Sequence, residues 1–293
     1  MQNVNHDRMV KILFFHGGPG LNSNPENKLL RDRFAQNEID LICWNEPSAL
    51  RVDGPTPNRE HAYGGFLSSA EDFLLAHYDS KPLTLMAHSF GAHPACFLAK
   101  KHPDKIAKII FISTDIGLPV TDRNMFTFSM LDFKEHGDAL HLELQKVLDR
   151  YTGKFDLNAE KGFELFVQNP RWFDYYWFNA QRKQVFVTYY TEPGFTVDMD
   201  AFFSVRRSFS ELQMSISQIP AIAIFGNHDI IVSREIEISI LQKRFSSLKV
   251  FDFALSAHYP HIEQSSEFIA LLVQELRVGR PAQIVQLNSE IIL

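Results

Sequence analysis

The sequence predicts an α/β fold: a mostly parallel sheet of about six strands, helices on both faces, and a helical insertion late in the chain. Three observations predict it. Short, continuous apolar runs alternate with longer helix-like stretches. Each run stops at small or turn-forming residues, as buried parallel strands do where their ligand-facing loops begin. The rhythm then breaks off between residues 118 and 215 and resumes beyond it.

Taken in order, Val10–Phe15 runs into His16-Gly17-Gly18, and Ile39–Trp44 into Asn45-Glu46-Pro47. Leu83–Ala87 leads into His88-Ser89-Phe90-Gly91, and Ile106–Ser113 into Thr114-Asp115. After the interruption, Ala221–Phe225 reaches Gly226, and Leu248–Leu255 reaches Ser256-Ala257-His258. The intervening stretches 26–36, 64–78, 91–102, 234–244 and 266–277 read as helices. Strand, helix, strand in this order calls for a parallel sheet covered on both sides. The expected division is a core of residues 1–117 and 216–293 with a helical cap, or lid, at 118–215.

That insertion holds more than half of the aromatic residues, most densely at Arg171-Trp172-Phe173-Asp174-Tyr175-Tyr176-Trp177-Phe178. Aromatics bury large areas whatever their role, so many of them serve the insertion's own packing. Trp172 and Trp177 are the aromatic candidates for a substrate pocket. A formal net charge of −6 provides no basic footprint, which argues against a nucleic-acid partner. No apolar run approaches membrane-spanning length, and the polar start lacks a signal core, so a cytoplasmic protein is expected. Cys43 and Cys96 lie far apart without metal-type spacing and read as free thiols.

The chemistry lies at the ends of the apolar runs. In Ala87-His88-Ser89-Phe90-Gly91 a strand turns sharply into a helix, with small residues two positions either side of a serine. Such a turn pushes the serine Oγ clear of the sheet as a nucleophile, and small flanking residues allow the close backbone approach. His16-Gly17-Gly18-Pro19-Gly20 follows the first strand. Acyl transfer needs amide donors aimed at a developing oxyanion. Pro19 has no N–H, which leaves Gly17 or Gly18; Gly18 is favoured, paired with the amide of Phe90. Asp229 follows the fifth strand and His258 the sixth. The chain order Ser89, Asp229, His258 is a nucleophile, acid, base order known for a catalytic triad.

These motifs resemble the α/β-hydrolase superfamily, and His16–Gly20 is most similar to its proline iminopeptidase-like branch. The resemblance spans residues 10–278, including Gly226-x-x-Asp229 and His258-x-x-x-x-Glu263. It implies a helical cap, here 118–215, and a serine hydrolase acting on esters or amides, with an iminopeptidase-type aminopeptidase or a slow ligand-binding relative as alternatives. A peptidase would need a carboxylate for the substrate's free amine; Glu192, Asp198 and Asp174 are the candidates, and Glu192 is placed with the substrate-binding residues.

Two departures from the family pattern stand out. Only nine residues precede the first strand, leaving no room for an amino-terminal hairpin, and the second strand ends in Trp44-Asn45-Glu46-Pro47 rather than an Asp-x-x-Gly turn. Ile39–Trp44 should then lie near a sheet edge, which the tail 281–293 could cover or which could pair with a second copy. His261 competes with His258 as base, and Asp115 with Asp229 as acid. The histidines around Asp229 lie in separate loops without helical spacing, so neither a metal nor a cofactor is expected, and the partner is a small molecule.

Overall fold

A computed structural model of the chain describes residues 9–46, 61–190 and 199–276. Six parallel strands, β1 (Val10–Phe15), β2 (Ile39–Trp44), β3 (Leu83–His88), β4 (Ile106–Ile112), β5 (Ala221–Gly226) and β6 (Leu248–Phe253), form one sheet. Their order is β2-β1-β3-β4-β5-β6, with every neighbouring pair parallel. β2 is therefore an edge strand, as the sequence predicts. The tail expected to cover it lies outside the described residues.

The strands form because their residues are β-branched or apolar and must satisfy two faces at once. Along β1, Ile12 and Phe14 enter one core cluster, while Leu13 and Phe15 enter the other. The first face is covered by α1 (Asn24–Ala35), through Leu30 and Phe34, and by α11 (Ser265–Leu276), through Phe268 and Leu272. The second face is covered by α2 (Ala62–His77), α3 (Ala92–Lys101) and α9 (Arg234–Arg244). Fully burying one of these large side chains contributes about 2–3 kcal/mol, so the alternation fixes the register firmly.

Between β4 and β5 run α4 (Leu118–Glu135), α5 (Leu140–Arg150), α6 (Leu157–Gln168), α7 (Ala180–Tyr190) and α8 (Met199–Arg207). Buried Arg206 of α8 pairs with buried Asp122 of α4 at 2.6 Å, and Tyr151 donates its hydroxyl to the same carboxylate. One more short helix, α10 (Pro260–Glu263), precedes α11. Among the described residues no helix is long and apolar enough to cross a membrane, and Cys43 and Cys96 are free thiols.

The topology decides where chemistry can sit. From β1 the chain steps outward to β2 and then crosses back to β3 on the other side. Such a switch leaves a crevice beyond the carboxyl ends of the two central strands. Phe15 at the end of β1 pairs with Ala87 near the end of β3, which brings the His16–Gly20 loop against Ser89.

Candidate active site

Ser89 sits at the turn from β3 into a short 3₁₀ turn (Ser89–Gly91) that leads into α3. Its φ is +50°, a left-handed conformation that a residue with a Cβ adopts only where its surroundings impose it. Gly91 shows what imposes it. A Cβ there would lie 2.4 Å from the Phe15 carbonyl oxygen and 2.7 Å from that of His16. The loop after β1 thus presses directly on the elbow. Gly17 is the glycine of that loop nearest the serine, with an ideal Cβ position 3.0 Å from Ser89 Cβ. Gly18, at φ +92°, faces Leu21. Phe90 is buried behind the serine, its ring against Phe66 and His93.

The loop itself is held from the side by the departure seen in sequence. Glu46 accepts hydrogen bonds from the Gly20 amide at 2.9 and 3.0 Å, and Asn45 Oδ1 accepts from Ser23 N at 2.8 Å. His16 stacks on Trp44 at 5.1 Å.

Asp229 and His258 come together because β5 and the loop after β6 touch. A Cβ on Gly226 would lie 2.0 Å from the Ala257 carbonyl oxygen, so only glycine permits this approach. His228 N then donates to Ser256 O at 2.9 Å. Asp229 Oδ1 accepts from the amides of Ile231 (2.9 Å) and Val232 (3.3 Å), which orients its other oxygen, Oδ2, 2.8 Å from His258 Nδ1. Both side chains are almost wholly buried. No hydrogen bond joins Ser89 Oγ to the His258 ring among the described residues; such contacts often tighten only when substrate binds.

Glu263 pins the histidine loop. Its carboxylate accepts from Ala257 N at 2.8 Å and from Phe178 N and Asn179 N at 2.8 and 2.7 Å. His258 N donates to Tyr176 O at 3.1 Å, and the Tyr176 ring stands edge-on to the imidazole at 5.2 Å. The insertion therefore lies directly on the His258 loop. His88 Nε2 donates to His258 O at 2.9 Å from beneath. Burial, with His261 and His258 adding to it, holds the His88 imidazole well below its ordinary pKa.

Of the competitors, His261 is fully buried on the far side of His88, and the imidazole hydrogen-bonded to Asp229 is that of His258. Asp115 adjoins the elbow through its amide, which donates to Ser89 O at 3.3 Å. Burial pushes its carboxyl up to about 6, while Arg206 pulls it down. Beneath it, Glu237 accepts from Thr114 Oγ1 and from the amides of Ile116 and Gly117. Burial and then Asp115 push Glu237 up to about 8.

The predicted pocket aromatics part company. Trp177 is 9 % exposed and lies flat on Tyr259, with centroids 4.4 Å apart and planes at 5°. That is core packing. Trp172 is half-buried against Phe166, Phe173 and Tyr176. Glu192 and Asp198 lie outside the described residues, and Asp174 is paired with Lys183 at 2.5 Å. Tyr176 and Glu263 carry contacts that the sequence did not reveal. The only signal was Glu263's fixed distance from His258.

A family model described as alpha/beta hydrolase fold matches residues 11–265. The probable aminopeptidase YbaC of Bacillus subtilis (strain 168) is 24% identical over 91% of this chain and 88% of its own length. Among solved structures, a proline iminopeptidase-related protein from Thermus thermophilus superposes with a TM-score of 0.66 at 15% identity, covering 92% of this chain and 89% of that one. An esterase from Exiguobacterium antarcticum superposes with a TM-score of 0.59 at 13% identity, covering 92% of both chains.

Proposed function

This chain belongs to the α/β-hydrolase fold family, and from that premise we propose that it is a serine hydrolase cleaving a carboxylic ester or amide of a small, largely apolar substrate. The observation that carries the reading is the 2.8 Å His258–Asp229 hydrogen bond, closed beside a serine held at φ +50° on a strand-to-helix elbow. In this reading Ser89 Oγ attacks the substrate carbonyl carbon while His258 Nε2 takes the hydroxyl proton. Asp229 fixes the imidazole with Nδ1 protonated and balances the imidazolium that forms. The oxyanion is held by the Phe90 amide and an amide of the His16–Gly20 loop, Gly18 or Gly17. The tetrahedral adduct collapses, the C–O or C–N bond breaks, and His258 returns the proton to the leaving group. Water then adds to the acyl-enzyme by the same route and releases the acid and Ser89.

The insertion at 118–215 acts as a lid, because Tyr176 supplies both a backbone acceptor and a ring against His258. A fluorophosphonate probe tests the assignment. Mass spectrometry should find the label on Ser89 alone, and Ser89→Ala should stay folded but unlabelled. Label at another serine, or none on folded wild type, would overturn it.

The likeness to the Bacillus aminopeptidase favours one second reading, an aminopeptidase of the proline iminopeptidase type. Comparing kcat/KM for a prolyl arylamide and a short-chain aryl ester separates the two. Preference for the ester supports the first reading. Strong preference for the arylamide, abolished in Glu192→Gln, supports the second.

A further inference from the structure

Behind the elbow, three side chains from distant parts of the chain meet in the interior. They are Glu26 of α1, His88 at the end of β3 and His261 of α10, exposed by 1 %, 1 % and 0 %. Each offers one ligating atom, and the three atoms all lie within 4.8 Å of one another. Glu26 Oε1 stands 3.5 Å from His261 Nε2. Neither nitrogen of His261 has a hydrogen-bond partner, and neither does Glu26 Oε2.

Buried polar atoms are nearly always satisfied, and a group left without a partner calls for an explanation such as an ion. Unpartnered atoms on two of the three side chains, Glu26 and His261, call for it here. We propose that Glu26, His88 and His261 form a binding site for a divalent transition ion of the zinc class. Two imidazoles and a carboxylate are a donor set that such ions take, with bonds of about 2.0–2.2 Å. Tetrahedral bonds of that length set donor atoms roughly 3.3–3.5 Å apart. The Glu26–His261 edge already has that length. The remaining edges are no longer than 4.8 Å.

His88 is prepared for the role. Its Nε2–H is committed to the His258 carbonyl at 2.9 Å, which leaves the lone pair on Nδ1. A ligating histidine commonly donates its other N–H to a backbone carbonyl in this way, which fixes its tautomer and ring plane. Three protein donors leave one position for water. An ion here would tie α1, β3 and α10 together, and through His88 it would brace the loop that carries His258.

The site does not depend on Ser89 chemistry, so its test is independent of the proposed hydrolysis. Untagged full-length protein is incubated with zinc chloride, freed of excess ion by gel filtration, and measured by inductively coupled plasma mass spectrometry. The expected result is about one equivalent of zinc per chain, as a three-ligand site retains its ion through such a step. Ser89→Ala should retain it equally, and Glu26→Gln and His261→Asn should each lose it. Cobalt loading of wild type, followed by X-ray absorption, should show two imidazoles in the first shell, a readout that stands even if a variant fails to fold. Wild type retaining no stoichiometric metal would overturn the proposal. So would full retention in both folded variants, or an absorption spectrum without imidazole.

Discussion

Gly226→Ala tests the assembly of the candidate site most sharply, because the substitution is small and its target is backbone. The added methyl would sit 2.0 Å from the Ala257 carbonyl oxygen, 2.4 Å from that of Ser256 and 2.6 Å from the Ser256 carbonyl carbon. Ordinary contact begins near 3.4 Å, and none of these atoms is the end of a flexible side chain. The β5 end and the His258 loop must therefore separate by about 1 Å or more, and a displacement of that size costs roughly 10²-fold in turnover. Forcing extra volume into packed structure should also lower stability by about 1–3 kcal/mol. The assay is kcat/KM on an aryl ester, paired with the rate of fluorophosphonate labelling and a thermal melt. Gly64→Ala is the control: it lies in α2 with nothing within 4 Å of the new methyl, and should stabilise by roughly 0.5–1 kcal/mol. If Gly226→Ala keeps kcat/KM within a few-fold of wild type, contact between these loops does not set the His258–Asp229 geometry.

Other substitutions probe the surroundings. Glu263→Gln keeps one acceptor oxygen where three amides now donate, so at least one buried N–H should lose its partner, at about 1–3 kcal/mol; unchanged stability with unchanged kcat would refute a pinning role. Trp177→Ala should destabilise by about 3–5 kcal/mol through the cavity left under Tyr259, with Trp172→Ala costing clearly less; equal losses by chemical denaturation would contradict the packing described. Asp115 gives a pH signature. Its folded pKa is lifted to about 6, above the ordinary carboxylate value, so the folded chain holds a proton that the unfolded chain has released. Stability on its account falls as pH rises from about 4 to 6, and above that the charged carboxylate carries a penalty of roughly 3 kcal/mol. Asp115→Asn should therefore raise the melting temperature more near pH 8 than near pH 4, and an equal shift at both would refute the buried-carboxylate account.

The parallel sheet was legible because its signal is local: apolar runs ending in turn residues mark strands before any contact is known. The strand-to-helix turn that carries Ser89 was legible for the same reason, since strand, serine and helix are consecutive. The pairing of Asp229 with His258 was read from the order of the motifs, with His261 left as a competitor. Both histidines follow the same strand, and what separates them is that His261 turns towards Glu26, a residue from the first helix. Trp177 misled because aromatic density measures buried area without saying what covers it. The Asn45-Glu46 turn read only as a departure from a pattern. In the fold it is the clamp on the His16–Gly20 loop, a role that depends on the Gly20 amide 26 residues earlier. Three residues that meet behind the elbow come from α1, β3 and α10, so no spacing rule could have joined them.

The place of the insertion has a consequence for synthesis. Ile109 of β4 pairs with Ala221 of β5 only after the whole aromatic segment has emerged. Until then only four of the six strands have been made, so any sheet they form leaves β4 with an open edge, and neither Asp229 nor His258 exists yet. An open parallel edge beside unpaired aromatic helices is a template for wrong association. Nascent chains halted near residue 215 should accordingly recruit chaperones more strongly than chains halted beyond β6. Ser89 is made early, but His258 can join it only once the last strand has paired with the sheet.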